Sequence, residues 1–530
     1  MIYRSPHPEV RIPDVPLAEF VLRRAAALGQ KPALVDGTDG RRITYAQLPE
    51  LVASTSAALR LRGFEKGDVL AVYSPNTPEY AVAFLGAASA GGVTTTINPL
   101  YTAEEVASQL RDARAKYLIT SPQLLERARE AARDTTVEEI FVFGEAQDGA
   151  TAFASLVESG AGAELPPVEI DPREDLVALP YSSGTTGTAK GVMLTHHNLV
   201  ANLTQFGAAG FDWSDDTLVC VLPMFHIYGL VVILNYGLAS GSTVVTLPRF
   251  DLEQVLGVIQ NYRVTVAHLV PPVVLALAKH PVVERFDLSS LKTVFSGAAP
   301  LGEQLSQECS ARLGCDVIQG YGMTETSPVT HLAPHDGSGR HGSVGVCVSN
   351  MECKIVSVET GATLGAGEEG EICVRGPQVM KGYLNRPDAT AATIDAEGWL
   401  HTGDIGRADA DGFFFIVDRA KELIKYKGFQ VAPAELEALL LTHPSVADAA
   451  VVPSPDAEAG EVPKAFVVAR GGESARPEPE ELMEFVAARV APHKKIRRVE
   501  FVEQIPKSPS GKILRRVLIA REREQAAGKN

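Results

Sequence analysis

Short apolar runs that are typical of buried strands alternate with helix-like segments along most of the chain. After Thr44, a residue type that often caps helices, apolar positions recur at helical spacing through Leu59, and the strand-like run 69–73 follows. Two further cycles place helices at 79–90 and 103–114, each followed by another short strand. Alternation of helices and strands at this period predicts an α/β fold with parallel strand pairing.

The pattern changes toward the C-terminal end. Between 342 and 412, short strands separated by glycine turns predict a β-rich subdomain, and from Ala434 a smaller block combines helical and strand-like segments. We therefore predict a large N-terminal domain over 1–417, made of two α/β subdomains plus a β-rich subdomain, and a small α+β C-terminal domain over 418–530. The junction near Asp418–Lys421 is the predicted hinge.

Composition and charge narrow the possible partners. The 530 residues are 45% hydrophobic and 22% charged, which is typical of a globular protein, and the net charge of −16 disfavours nonspecific nucleic-acid binding. The most apolar stretch, Ile227–Ala239, is too short to span a bilayer, so we expect no integral membrane contact. Six cysteines without CxxC spacing and a start unlike a signal peptide predict reduced thiols in a cytoplasmic protein.

The segment Tyr181-Ser-Ser-Gly-Thr-Thr-Gly-Thr-Ala-Lys-Gly-Val192 is the sharpest chemical signal. Most runs of Ser, Thr and Gly are ordinary loops, but this one follows a predicted strand and contains a lysine. Glycines let successive backbone N–H groups converge on an anion, while hydroxyls and a cation add to the binding. The predicted phosphate-binding residues are Ser182, Ser183, Gly184, Thr185, Thr186, Gly187 and Lys190.

Three further segments agree with a nucleotide site: Gln319-Gly-Tyr-Gly-Met-Thr-Glu325, Trp399-Leu-His-Thr-Gly-Asp404 and Pro506-Lys-Ser-Pro-Ser-Gly-Lys512. With them, the chain resembles the adenylate-forming superfamily over roughly residues 30 to 516. Within that superfamily, Pro223-Met-Phe-His-Ile-Tyr228, Ser296-Gly-Ala-Ala-Pro300 and the segment 418–433 resemble the 4-coumarate:CoA ligases. The resemblance implies a ligase that uses ATP and Mg²⁺ to convert a carboxylic acid to acyl-AMP and then transfers the acyl group to coenzyme A.

The resemblance also implies roles for single residues in the first half-reaction. Lys512 would contact both reacting groups, Thr324 the α-phosphate, Glu325 the Mg²⁺ ion, and His226 would act as a gate beside the adenylate. Offsetting the repulsion between a carboxylate and a phosphate requires such cations and donors. The remaining nucleotide contacts implied by the resemblance are Gln319, Gly320, Tyr321 against adenine, and Asp404 and Arg419 on the ribose.

For the second half-reaction, the resemblance implies that the C-terminal domain swings about Lys421 and withdraws Lys512. Lys421 and Lys425 would then lie near the adenylate. Lys427, Gly428 and Arg249 would lie near CoA.

The acyl pocket implied by the resemblance is mostly apolar. Its predicted members are Tyr228, Val231, Val232, His268, Phe295, Ala298, Gly320, Pro328 and Val329. Val232 and Phe295 occupy the positions where plant hydroxycinnamate enzymes tend to carry a Ser and a Lys that can meet a ring hydroxyl. We therefore expect cinnamate to be used at least as well as 4-coumarate, unless His268 or a water supplies the missing partner.

Several alternatives stay open from the sequence. An apolar pocket also suits a medium- or long-chain fatty acyl-CoA synthetase, and the same scaffold serves carrier-protein loading and luciferase-type oxygenation. A protein of another class, a non-catalytic nucleotide or acyl-CoA sensor, is disfavoured by the retained Lys190, Lys512 and Asp404. We expect a monomer or a weak homodimer.

Overall fold

The computed structural model describes residues 1–182, 189–299, 301–334, 338–340, 342–427, 429–456, 459–472, 476–508 and 511–527, with side chains through Glu522. The strands are β1 (Ile2–Arg4), β2 (Pro32–Asp36), β3 (Arg42–Thr44), β4 (Val69–Tyr73), β5 (Val93–Ile97), β6 (Ala115–Thr120), β7 (Glu139–Val142), β8 (Thr151–Ala152), β9 (Leu176–Ala178), β10 (Tyr181–Ser182), β11 (Lys190–Thr195), β12 (Thr217–Cys220), β13 (Thr243–Thr246), β14 (Val266–Leu269), β15 (Thr293–Ser296), β16 (Asp316–Gly322), β17 (Val329–Leu332), β18 (Val346–Cys347), β19 (Glu352–Val356), β20 (Gly370–Arg375), β21 (Gly382–Tyr383), β22 (Leu400–Ala408), β23 (Phe414–Arg419), β24 (Ile424–Tyr426), β25 (Phe429–Val431), β26 (Val446–Asp456), β27 (Gly460–Ala469) and β28 (Arg498–Phe501).

The helices alternate with these strands through the first 313 residues. They are α1 (Leu17–Leu22), α2 (Ala25–Leu28), α3 (Leu48–Leu61), α4 (Pro78–Ser89), α5 (Ala103–Ala113), α6 (Leu125–Ala132), α7 (Phe153–Ser159), α8 (His196–Ala208), α9 (Gly237–Ser240), α10 (Leu252–Tyr262), α11 (Pro271–Lys279), α12 (Glu303–Leu313), α13 (Pro387–Thr393), α14 (Pro433–Leu440), α15 (Pro479–Ala487) and α16 (Arg515–Ala527). A π-helix, Tyr228–Tyr236, runs directly into α9.

Two large α/β sheets form most of the N-terminal region. Among the described residues, one sheet has the strand order β10-β11-β9-β5-β4-β6-β7-β8, and the other has the order β18-β17-β16-β15-β14-β12-β13-β2-β3. The central pairs β4/β5, β4/β6, β12/β14 and β14/β15 are parallel, so the predicted parallel pairing is confirmed. Helix α3 begins at Leu48 rather than directly after Thr44, because Thr44 ends strand β3 and its hydroxyl binds the Gln47 side chain.

The two C-terminal sheets are smaller. Strands β1-β19-β20-β22-β23 form an antiparallel sheet, which confirms the predicted β-rich subdomain and adds the N-terminal strand to it. The last sheet has the order β25-β24-β27-β26, with β28 paired to β27, and α14 and α16 pack on β26. A large α/β region with a small α+β C-terminal domain is therefore confirmed, while the boundary at residue 418 stays a prediction.

Candidate active site

Two side chains, from two different sheets, meet at one buried carboxylate. Asp404 lies on β22, and Arg419 is its cross-strand partner on β23. The Tyr321 hydroxyl, from β16, donates to Asp404 Oδ2 at 2.6 Å, and Arg419 Nε lies 3.3 Å from Oδ1. Burial raises the pKa of Asp404, and the Arg419 charge opposes that shift. The predicted ribose and adenine residues are thus adjacent, and the region that they border is the predicted nucleotide cleft.

Lys512 reaches this cleft from the C-terminal domain. Its backbone N–H donates to Ser508 Oγ at 3.1 Å, which tightens the loop. At the neighbouring Gly511, with φ of +78°, an added Cβ would lie 2.8 Å from a methyl carbon of Val270, so the loop contacts the N-terminal domain closely. Burial and the Arg419 charge lower the pKa of Lys512, and the Asp404 charge raises it. The loop therefore brings the predicted adenylation lysine beside the predicted nucleotide residues.

Glu325 forms a second polar centre. It is buried in the turn after β16, and its Oε1 accepts hydrogen bonds from the Ser182 hydroxyl at 2.9 Å and the Tyr383 hydroxyl at 2.8 Å. The Lys190 ammonium lies 4.5 Å from the centre of the Tyr383 ring. The predicted residues Ser182, Lys190 and Glu325 are therefore brought together, whereas the other predicted phosphate-loop residues, 183–187, lie outside the described residues.

Tyr383 is a site residue that the sequence reasoning missed. It joins the carboxylate of Glu325 to the ammonium of Lys190, although it lies almost 200 residues from the phosphate loop. Strand β21, which carries it, pairs with β11 next to that loop. The run Met380-Lys-Gly-Tyr383 after the β-rich segment is the available signal, but without a fold it reads as an ordinary turn.

His226 lies just before the N-terminal end of the π-helix. Its Nδ1 accepts the Tyr228 backbone N–H at 3.3 Å. Burial and the nearby Lys512 charge lower the pKa of His226 to about 3, so its imidazole is neutral at physiological pH. The structure thus places a neutral ring near Lys512, and the gate role of His226 stays a prediction.

The predicted acyl-pocket residues come from the π-helix and two neighbouring strands. Tyr228, Val231 and Val232 lie on the π-helix, and π-helical turns often occur at functional sites. His268 on β14 and Phe295 on β15 are register partners, and their rings stack at 4.8 Å with an interplanar angle of 15°. The remaining predicted members lie in the loop after β15 and around the β16–β17 hairpin: Ala298, Gly320, Pro328 and Val329.

A cluster of aromatic side chains packs behind this pair. Trp213, which the sequence reasoning did not select, lies edge-on to His268 at 5.1 Å and to Phe295 at 5.7 Å. Phe206 and Tyr236 pack against Trp213 at 5.0 and 4.9 Å. These buried rings pack around His268 and Phe295.

The predicted CoA contacts are not assembled at this cleft. Arg249, Lys425 and Lys427 are exposed, and the Lys425 backbone N–H donates to Glu461 within the C-terminal sheet. Gly428 lies outside the described residues. The Lys421 residue is exposed as a whole, although its ammonium is partly buried. This partial burial and the charges of Arg419 and Lys190 contribute to a lowered pKa of Lys421, which therefore lies at the edge of the nucleotide cleft.

The six cysteines are free and buried, as predicted for reduced thiols. Two of them contact one histidine, His331, whose Nε2 lies 3.5 Å from Cys347 Sγ and 3.4 Å from Cys353 Sγ. Their spacing in sequence gives no sign of this, because the three residues meet only when β17, β18 and β19 come together.

In the part of the chain that the structure describes, no helix combines the length and apolarity needed to cross a membrane.

A buried carboxylate held by Tyr and Arg lies beside a lysine from the small C-terminal domain, an arrangement that suits a nucleotide-binding enzyme of two domains. The family model for "AMP-binding enzyme" matches residues 21–384, and the model for "AMP-binding enzyme C-terminal domain" matches residues 435–512. The chain belongs to this family, and the predicted adenylate-forming superfamily is confirmed.

Individual relatives narrow the comparison. The chain is 47% identical to 4-coumarate–CoA ligase 1 of Petroselinum crispum, with 98% of this chain and 97% of the relative covered. Among solved structures, it is similar to an anthranilate CoA ligase in complex with anthranoyl-AMP (TM-score 0.90, 27% identity, 98% and 99% covered). It is also similar to ATP-bound MatB from Rhodopseudomonas palustris (TM-score 0.86, 31% identity, 96% and 98% covered).

Proposed function

We propose that this chain is an ATP-dependent acid:CoA ligase that activates a cinnamate- or 4-coumarate-type acid as acyl-AMP and transfers the acyl group to CoA. The observation that carries the proposal is the meeting of Lys512 with Asp404, Tyr321 and Arg419 across the two domains. The likeness to 4-coumarate–CoA ligases over nearly the full length, and the aromatic rings around His268 and Phe295, support the substrate class.

In the first half-reaction, the acid's carboxylate attacks the α-phosphate of ATP and pyrophosphate leaves. Asp404 accepts the ribose hydroxyls, since each of its two oxygens can accept a hydrogen bond. The charge that develops where the two anions meet opposes this step. Lys512 and Thr324 stabilise that charge. Lys190 and the loop that begins at Ser182 hold the phosphates.

Mg²⁺ is a further part of the proposal, and Glu325 is the residue that would hold it. Two hydroxyl donors orient its carboxylate through Oε1, and Oε2 faces no such donor among the described residues. A fixed carboxylate oxygen is the hard ligand that Mg²⁺ prefers. When bound, the ion would neutralise phosphate charge.

In the second half-reaction, the CoA thiolate displaces AMP. We place residues 418–530 in the moving domain, with Lys421 as the hinge. Rotation would withdraw Lys512 and bring Lys425, Lys427 and Gly428 to the cleft, where they and Arg249 complement the phosphates of CoA. Their exposure in the present arrangement is consistent with such a later role.

We also propose the partners, the compartment and the oligomeric state of the protein. The net charge of −16 supports an enzyme of small molecules without a nucleic-acid partner. Reduced, buried cysteines support a cytoplasmic location. We further propose a monomer or weak homodimer, which sedimentation of the full chain would test.

The decisive experiment is a CoA-dependent thioester assay across cinnamates, benzoates and fatty acids, run beside ATP–pyrophosphate exchange for each acid. We expect cinnamate-type acids to give the highest kcat/KM. A preference for octanoate or longer chains would replace the proposal with a fatty acyl-CoA synthetase. If none of the acids supports ATP–pyrophosphate exchange, the result would instead favour a non-catalytic sensor.

A further inference from the structure

His268 has one ring nitrogen without a hydrogen-bond partner. The side chain is completely buried on β14, and its Nδ1 lies 2.9 Å from the Tyr228 hydroxyl. Nε2, by contrast, has no partner among the residues that the structure describes. Buried polar atoms are almost always paired, so an unpaired one in a native protein calls for an explanation.

The charge state of the ring limits what this nitrogen can do. Burial lowers the pKa of His268 to about 3, so the imidazole is neutral and carries one proton. Tyr228 determines the position of that proton through its contact with Nδ1. If the hydroxyl donates to Nδ1, then Nε2–H is a donor; in the opposite tautomer, Nε2 is an acceptor. A phenolic hydroxyl can match either state.

The residues around His268 connect it to the predicted acyl pocket. Its ring stacks on Phe295 and lies edge-on to Tyr228 at 5.5 Å, and both are predicted walls of the acyl pocket. Val232 and Phe295 offer no polar atom. The next residue of β15, Ser296, also has an unpaired hydroxyl, but it faces the opposite side of the strand from Phe295.

We propose that His268 Nε2 hydrogen-bonds a hydroxyl substituent on the aromatic ring of the acid. The inference rests on the proposed function, because it assumes that an aromatic acid occupies the pocket. It reverses the expectation that cinnamate is used at least as well as 4-coumarate, since the ring hydroxyl finds a partner on β14 in place of the absent Ser and Lys.

The test compares 4-coumarate with 4-methylcinnamate, whose methyl group is similar in size to the hydroxyl but forms no hydrogen bond. At saturating ATP and CoA, we expect the parent enzyme to favour 4-coumarate about tenfold in kcat/KM, the effect of one hydrogen bond to a buried group. In His268→Leu, the preference should fall to about twofold or less, because the ring hydroxyl loses its partner whereas the methyl group had none.

A second variant guards against misfolding of the first. His268→Gln keeps a side-chain amide that can donate and accept, so it should retain a preference for 4-coumarate over 4-methylcinnamate. Equal loss of both substrates in folded His268→Leu, or no preference in the parent, would overturn the inference. If no cinnamate gives a thioester at all while another acid class does, the proposed function itself has failed, which is a distinguishable result.

Discussion

Removing the ammonium of Lys512 is the sharpest perturbation of the proposed first half-reaction. In Lys512→Ala, the loop can keep its contact with Val270 through Gly511, because that contact involves only the backbone. Of the other cations at the site, Arg419 is bound to Asp404, and Lys190 lies over the Tyr383 ring. Neither is free to replace a lysine delivered from the other domain.

The size of the effect follows from the kind of group removed. A preorganised charge aimed at a developing anion is worth about 2.7–4 kcal/mol, or roughly 100- to 1,000-fold in rate. The close contact of Gly511 with Val270 holds the loop that carries Lys512 in place before the reaction begins. The loop therefore needs little reorganisation, and the full stabilisation energy is expected. We therefore expect adenylation to slow at least about 100-fold.

The assay separates the half-reactions. ATP–pyrophosphate exchange reports adenylation, and thioester formation from supplied acyl-adenylate and CoA reports the second step. Lys507→Ala is the matched control, since Lys507 precedes the same loop but its ammonium binds Asp448 Oδ2 at 2.6 Å within the C-terminal domain. A partly exposed ion pair is worth about 0–1 kcal/mol, and the control should change exchange by no more than about threefold.

The second step should survive in Lys512→Ala at close to the parent rate, because Lys512 has withdrawn by then in the proposed cycle. Equal damage to both half-reactions would refute the assignment of Lys512 to adenylation alone. Exchange at the parent rate would refute its role altogether.

Three further predictions test the hinge, the docking loop and the buried histidine. Lys421→Pro, which fixes φ near −65°, should preserve pyrophosphate exchange but slow overall thioester formation at least about tenfold; unchanged turnover would remove Lys421 from the hinge. Gly511→Ala adds a Cβ 2.8 Å from a Val270 methyl at a positive φ, and exchange should fall about tenfold, with partial recovery in the double variant with Val270→Ala. Because the folded pKa of His268 is about 3 and the unfolded value is about 6.5, the unfolded chain gains a proton as pH falls below 6.5 and stability is lost. Denaturant unfolding between pH 7.5 and 5 should therefore show about 2 kcal/mol less loss of stability in His268→Leu than in the parent, and an equal loss in the two proteins would contradict this account.

The alternation of apolar runs and helices was enough to predict the α/β sheets, because strand and helix periods are local properties of the sequence. Helix α5 and strand β4 were predicted almost to the residue. The start of α3 was not, because Thr44 can end a strand and also bind Gln47, and only the pairing of β3 with β2 decides between these uses.

At the candidate site, the motifs predicted those residues that lie within one continuous segment of sequence. They did not predict residues that reach the site from a distant part of the chain. Asp404, Tyr321 and Lys512 belong to recognisable motifs, so their meeting was expected. Tyr383 and Trp213 belong to none of them, and their contacts with Glu325 and His268 exist only because β21 pairs with β11 and because the chain before β12 folds onto β14. The free nitrogen of His268 could not be predicted either, since it depends on which atoms lie around it.

The buried ion pairs near Lys512 bear on where the proposed rotation occurs. Arg515, three residues after Lys512, binds Glu422 at 2.5 Å and Glu437 at 2.6 Å, and its side chain is largely buried. Breaking a buried pair by separating one partner costs about 3–5 kcal/mol. Both acids follow Lys421 in the chain, so a rotation at Lys421 carries them together with Arg515 and leaves these pairs intact.

The same rotation would separate Gly511 from Val270, a contact between a backbone and one apolar side chain. A pivot placed later, between Glu437 and Lys512, would instead have to pull Arg515 away from two carboxylates. The difference in energy favours a hinge before Glu422. The adenylation lysine would then leave the cleft together with Arg515 and its two acids, and the contact at Val270 would be among those that the rotation breaks.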